Sequence, residues 1–152
     1  MKLDPTDCRL LEALQKNAHL TSQELSELLN LSPSQAGRRR QRLEAEGFIS
    51  GYAARLCPQH LGLNVQAFVQ VQMASHDTEK VAEFARKVTN QPQIISAWTL
   101  TGDSDYLLRV YCEDLSDLNR LIHDILLPID AVARIQSQIV MDQLKSDAPL
   151  PT

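Results

Sequence analysis

Residues 21–47 read TSQELSELLNLSPSQAGRRRQRLEAEG, and this stretch decides the fold of the N-terminal third. Thr21-x-x-Glu24 has the form of a capping box, in which the Thr hydroxyl accepts from the Glu24 N–H and the Glu carboxylate accepts from the Thr21 N–H. Ser32-x-x-Gln35 repeats the device eleven residues later, with Pro33 at the first helical position, where its missing N–H costs nothing. Gly47 stands where a left-handed residue closes a helix. The spacing predicts two helices joined by Leu29-Asn30-Leu31, a helix-turn-helix. The second carries Arg38, Arg39, Arg40 and Arg42, the complement a major-groove reader needs.

Working outward, a first helix is expected from Pro5 to about Asn17, capped by Asp4 and striped with Leu10, Leu11 and Leu14. The second helix would bury Leu25, Leu28 and Leu29, and the third would span Pro33 to Glu46. Residues 48–56 (FISGYAARL) suit an extended wing, and 57–62 (CPQHLG) a linker. On a helical wheel with Ala36 and Leu43 inward, Ser34, Gln35, Arg38 and Arg42 share the opposite face. There Arg and Gln can pair with guanine and adenine edges. Arg39, on the flank, suits phosphate. The competing reading is a solvated charged face, or a helix-turn-helix used only for protein contact.

Beyond residue 64 the period changes. Val65, Ala67, Val69, Val71 and Met73 alternate with Gln66, Gln70 and Gln72, as in a half-buried strand. Val81, Phe84, Ala85 and Val88 follow helical spacing. Residues 94–101 (IISAWTLT) and 105–112 (DYLLRVYC) read as strands joined by Gly102-Asp103-Ser104. Leu115, Leu118, Ile122, Ile125 and Leu126 return to helical spacing, which Pro128 ends. Ala133, Ile135, Ile139 and Met141 alternate as a last strand. This βαββαβ order predicts a ferredoxin-like sandwich, so the whole chain is α+β: a winged helix-turn-helix followed by an ACT-like domain. The expected boundaries are 1–56, a linker 57–63, a second domain 64–145 and a frayed tail 146–152. Val69, Trp98, Leu108 and Val110 add more apolar surface than one sheet face needs, which predicts at least a dimer.

The formal charge of −4 is unevenly spread. Residues 1–60 hold eight Lys/Arg against seven Asp/Glu, and 61–152 hold seven against twelve. DNA affinity depends on local phosphate neutralisation, so an acidic second half would confine contact to one end. Three well-separated cysteines (Cys8, Cys57, Cys112), without Cys-x-x-Cys, argue against disulfides or zinc and are expected as packing residues of a cytoplasmic protein. No apolar run suits a membrane span, and Met1-Lys2 leads into Asp4 and Asp7 without a signal sequence. His19, His60, His76 and His123 are scattered, so no metal is expected. Neither a phosphate loop nor paired catalytic carboxylates are present, which predicts a non-enzyme without a cofactor. Gly102-Asp103-Ser104-Asp105 is the second candidate site. Its carboxylates can receive an α-ammonium group, although Asp and Gly are also ordinary hairpin residues.

Residues 3–52 (LDPTDCRLLEALQKNAHLTSQELSELLNLSPSQAGRRRQRLEAEGFISGY) resemble the DNA-binding half of the Lrp/AsnC family of transcription regulators. The second half resembles that family's amino-acid-sensing domain, with the hallmark turn present as Thr101-Gly102-Asp103-Ser104-Asp105-Tyr106. The resemblance spans about residues 2–145. It implies homodimers through the second domain, assembly to octamers, and a free amino acid as effector. It marks Gly102, Asp103, Ser104, Asp105 and Tyr106, together with Gln138 and Ile139 on the last strand, as effector-binding. It supports Ser34, Gln35, Arg38 and Arg39 as contacts to double-stranded DNA. Arg40 departs from the pattern, since that position is usually apolar; its stem would pack while the guanidinium reaches solvent. His19 replaces a commonly basic residue. The readings left open are an architectural DNA binder indifferent to effector and an amino-acid-binding regulatory subunit of an enzyme.

Overall fold

The computed structural model describes residues 3–75 and 77–152; His76, one of the four scattered histidines, lies outside the described residues. Two compact units form, one from residues up to Arg55 together with Leu144–Thr152, the other from Leu56–Gln143.

The first unit holds α1 (Pro5–Lys16), α2 (Ser22–Leu29) and α3 (Pro33–Ala45). Each helix opens with a complete capping box: Asp4 with Asp7, Thr21 with Glu24, Ser32 with Gln35. Asn30 takes the left-handed region (φ 54°) between α2 and α3, and Gly47 (φ 79°) follows α3. Asn bears that conformation better than most side chains, and Gly bears it at no steric cost. Leu10, Leu11 and Leu14 of α1 close the core with Leu25, Leu29, Ala36 and Leu43. Leu28 is not part of it, being 53% exposed. It lies about 100° round the helix from Leu29, and in so short a helix Leu25 and Leu29 already cover the inward face. Residues 48–56, expected as an extended wing, form neither helix nor strand. Within the expected linker, Gln59–Leu61 form one 3₁₀ turn closed by Gly62 (φ 79°).

The C-terminal tail is not frayed. The Gln15 side-chain amide donates to the Leu150 carbonyl (3.0 Å) and accepts from the Leu150 N–H (2.6 Å). Arg55 donates to the Asp147 carbonyl (2.8 Å), and the Thr152 hydroxyl to the Cys8 carbonyl (3.3 Å). One amide thus supplies both bonds that a neighbouring strand would supply, which fixes an otherwise irregular segment on α1.

The second unit runs β1 (Val65–Met73), α4 (Thr78–Thr89), β2 (Ile94–Thr99), β3 (Tyr106–Cys112), α5 (Leu115–Arg120) passing into a π-helical turn over Leu121–Leu126, and β4 (Val132–Ile139). The sheet order is β2-β3-β1-β4 with every neighbour antiparallel, the expected ferredoxin-like arrangement. Ala67, Val69 and Val71, paired with Val110, Leu108 and Tyr106, face the helices and meet Phe84, Val88, Leu118, Leu121 and Leu126. Three apolar positions depart from expectation. Leu115, beside the N-cap Asp114, is 58% exposed; Ala85 lies on the solvent side of α4; and Met141 lies beyond the end of β4, almost wholly exposed. In β4 a bulge pairs Met73 with Val132 but Gln72 with Arg134, which takes Ala133 out of the alternation.

The surplus apolar surface is also redistributed. Val69, Leu108 and Val110 are fully buried under the unit's own helices, because each shares the parity of the helix-covered face. Trp98 pairs with Leu107 on the open face and stays 45% exposed. Ile95, Leu100 and Ile139 are the other exposed apolar residues on or beside the edge strands.

Candidate nucleic-acid interface and effector turn

On α3, Ser34, Gln35 and Arg38 are exposed, as the wheel requires. With Leu31, Arg39 and Arg42, Gln35 and Arg38 line a recess of about 310 Å³ on the outer side of the helix. The four arginines there are not equivalent. Arg39 donates to Asp4 (2.6 Å) and to Asp7 (2.7 Å), and Arg42 pairs with the same Asp7 oxygen (2.6 Å). The Arg42 head therefore turns back toward α1 instead of standing beside Arg38. Arg40 bonds Glu44 (3.0 Å), the Tyr52 hydroxyl (3.1 Å) and the Leu20 carbonyl (2.9 Å), and lies over the Tyr52 ring at 4.8 Å. Its guanidinium does not escape to solvent; it ties α3 to the segment that follows. Arg38 is the one arginine of the four without a carboxylate partner among the described residues. Its Nε donates to the Ser34 carbonyl (3.3 Å), which leaves the terminal fork for a base edge.

Gln35 is more restricted than the wheel suggests. Its side-chain oxygen accepts from the Ser32 N–H (3.0 Å) and the Ser32 hydroxyl (3.1 Å). Both lone pairs are occupied by capping, so only the amide N–H₂ remains to donate. A paired contact to adenine would have to break the capping box.

Asp7 is the residue the sequence did not mark. It is 2% exposed. Burial alone would raise its pKa. Donation from Arg39, the Asp4 N–H and Arg42 outweighs that and holds it below the ordinary value of 3.8. Asp4, chiefly through Arg39, is held low as well. Nothing local in the sequence reveals these contacts, since Asp7 and Arg39 lie 32 positions apart.

The second site is the turn between β2 and β3. Gly102 has φ 110°, a region that strains any other residue. Asp103 is exposed; together with Ser104, Gln70, Gln72, Arg134 and Gln136 it lines a polar recess of about 200 Å³ on the open face of the sheet. Asp105 is committed to the sheet. Its carboxylate accepts from the Met73 N–H opposite the β4 bulge (2.7 Å), its own N–H donates to the Val71 carbonyl (2.9 Å), and its carbonyl accepts from the Leu100 N–H (2.8 Å). Tyr106 faces the helices, its ring 4.7 Å from that of Phe84. Gln138 pairs with Phe68 on the open face, whereas Ile139 pairs with Ala67 on the other. One subunit thus brings Asp103 and Ser104 together and sets Tyr106 and Ile139 on the opposite side of the sheet.

Of the cysteines, Cys112 is buried in the core, where burial first and the nearby Asp117 next push its thiol up to about 11. Cys57 is exposed, so it is not the packing residue expected. Among the described residues no His/Cys/Asp/Glu cluster suits a metal ion, and no helix is long and apolar enough to cross a membrane.

Residues 66–150 match the Lrp/AsnC ligand binding domain, and residues 3–50 match a winged helix-turn-helix DNA-binding family. The chain belongs to the Lrp/AsnC family. Along its whole length it is similar to named regulators of that family. It is 32% identical to the DNA-binding transcriptional activator DecR of Escherichia coli, covering 98% of each chain. It is 34% identical to the Bkd operon transcriptional regulator of Pseudomonas aeruginosa, covering 98% of this chain and 99% of the relative. The fold superposes on a transcriptional regulator of Neisseria meningitidis solved with L-Met, with a TM-score of 0.94 and 37% identity over 99% and 97% of the two chains.

Proposed function

We propose that this Lrp/AsnC protein presents α3 to the major groove of double-stranded DNA and that a free amino acid, bound at the Gly102–Ser104 turn, shifts its DNA affinity or assembly. The protein is a DNA-binding transcription regulator that responds to an amino acid, as its family and relatives indicate. The observation that carries the DNA assignment is the exposed edge formed by Ser34, Gln35 and Arg38, with Arg38 the arginine no carboxylate engages. Arg39 and Arg42 border that edge, with their guanidinium groups drawn to Asp4 and Asp7. For the effector, Asp103 supplies the group that meets an α-ammonium, and Ser104 and Gly102 complete the turn. Asp105 and Tyr106 hold its shape, and Gln138 and Ile139 lie further along β4. An uncharged amino acid is the reading we favour, supported by the L-Met complex of the Neisseria relative. The exposed Trp98, Ile95 and Ile139 support self-association, and the family suggests a homodimer that assembles further to an octamer in the cytoplasm. No catalytic chemistry and no cofactor enter this reading.

The mechanism is linkage: an effector acts only through unequal affinity for two arrangements of the protein. Calorimetric titration with each of the twenty amino acids, on wild type and Asp103→Ala, tests it. Binding of one uncharged amino acid that Asp103→Ala abolishes is expected. Equal binding by both proteins would move the site elsewhere, and binding of none would favour an architectural DNA binder.

A further inference from the structure

Four arginines on one recognition helix suggest four phosphate-neutralising charges, yet three of them face carboxylates from their own chain. Arg40 faces Glu44 within α3. Arg39 and Arg42 converge on a single oxygen of Asp7, and Arg39 also takes Asp4. The Asp7 side chain is 3% exposed, against 29% for Arg39 and 36% for Arg42, so the carboxylate is the sheltered partner and the guanidinium groups form its outer rim. The anion is also fixed in place: the Asp7 N–H donates to Asp4 (2.7 Å), and the Asp4 N–H donates back to Asp7 (3.2 Å). The capping box that starts α1 thus aims two carboxylates at the middle of α3.

We infer that Asp7, assisted by Asp4, is a specificity-determining positioning residue: it withholds the charge of Arg39 and Arg42 from DNA phosphates and leaves Arg38 to read bases. The inference rests on α3 being the DNA-reading helix. A guanidinium beside a sheltered carboxylate releases less than a full counterion when a phosphate approaches. Sequence-independent binding, which is built from such releases, is thereby held down. Base contact by Arg38 is unaffected, so the ratio of specific to random binding rises. On this view the clamp lets a helix this rich in arginine discriminate among sequences instead of adhering to all of them.

The test uses the full-length chain and two duplexes: one selected by the wild type from a random pool, and one of random sequence. Anisotropy titrations between about 50 and 200 mM salt give both affinity and salt slope. Asp7→Asn keeps the side-chain shape and an acceptor oxygen while removing the charge. We expect the slope on random duplex to steepen by about one to two per bound helix, and low-salt affinity for that duplex to rise roughly threefold to tenfold. Affinity for the selected duplex should change less, so the ratio falls. Adding Arg42→Gln to Asp7→Asn should return the slope toward wild type. Should Asp7→Asn fold poorly, Asp4→Asn carries the test, because Asn caps helices as well as Asp does and Arg39 alone loses one of its two carboxylates. About half the slope change is then expected. An unchanged slope and an unchanged ratio in a variant with wild-type circular dichroism would overturn the inference while the DNA assignment stands. A wild type that binds no duplex would overturn both.

Discussion

Removing the Asp105 side chain should cost the sensing unit stability before it costs any ligand. Its carboxylate is the acceptor for the Met73 N–H, which sits where β1 shifts register between Gln72 and Met73, and Met73 is only 7% exposed. Asp105→Ala leaves that buried donor without a partner, a penalty of about 1–3 kcal/mol. The two backbone bonds of residue 105 survive the substitution, so the loss isolates the carboxylate. Asp105→Asn keeps an acceptor and forfeits only the charge assistance, for a cost of about 0.5–1 kcal/mol. Trp98 is the chain's single tryptophan and lies on β2 beside Leu107, so its fluorescence reports this sheet and not the helical unit. In urea, with a slope of roughly 1–3 kcal/mol per molar, Asp105→Ala should lower the fluorescence midpoint by about 1 M, and Asp105→Asn by less than half as much. Protein concentration must be held constant, because self-association shifts apparent stability. An Ala midpoint indistinguishable from wild type, or an Asn variant as weak as Ala, would refute the argument and return Asp105 to the effector.

Three further outcomes are expected. Arg38→Ala should lose about 1–3 kcal/mol on a selected duplex in gel shifts and relax its sequence preference, whereas equal losses on random DNA would exclude base reading. Asp4 and Asp7 are both held below the ordinary carboxylate pKa of 3.8, so their stabilisation is fully present above that value and is lost as pH falls through their lower folded values. Melting followed by circular dichroism from about pH 6 down to about pH 2.5 should show that loss, with a flatter profile in Asp7→Asn. Truncation after Gln143 should lower the melting temperature of the helical unit, because it removes the Leu150 pair on Gln15 and the Asp147 contact to Arg55; an unchanged melting curve would show the tail to be a passive passenger.

What could be read from the sequence was governed by period and by local hydrogen bonding. The capping boxes at Thr21 and Ser32, the left-handed Gly47 after the third helix, and the periodicities behind the βαββαβ order all act within a few residues, and all are present. Parity failed where a tertiary feature altered it. The β4 bulge removed Ala133 from its expected alternation. Of the candidate sites, exposure of Ser34, Gln35 and Arg38 followed from the wheel. The directions of Arg39 and Arg42 did not, because the groups that aim them sit on α1. Nor did the commitment of Asp105 to Met73, since the two lie 32 positions apart across the sheet.

The connections between the units follow from one sheet contact. β1 opens and β4 closes the second unit, and the two are antiparallel neighbours: Ala67 pairs with Ile139, and the Val140 N–H donates to the Gln66 carbonyl (2.9 Å). The chain therefore enters and leaves the sheet side by side. One path continues from the Gln59–Leu61 turn toward Arg55; the other passes Met141 and ends on α1 through Leu150 and Thr152. Arg55 and Asp147, one on each path, are themselves hydrogen bonded. Both paths therefore join the sheet at the same end of the β1–β4 pair. The polar recess beside Asp103 is lined by residues of those same two strands, Gln70 and Gln72 from β1 and Arg134 and Gln136 from β4. The opposite ends of the same two strands, at Val65 and Ile139, continue into the connections to the helical unit. For the effector site proposed above, these two strands are the covalent connection to the helical unit, and Asp103→Ala should then remove the effector response of DNA binding while leaving effector-free binding unchanged.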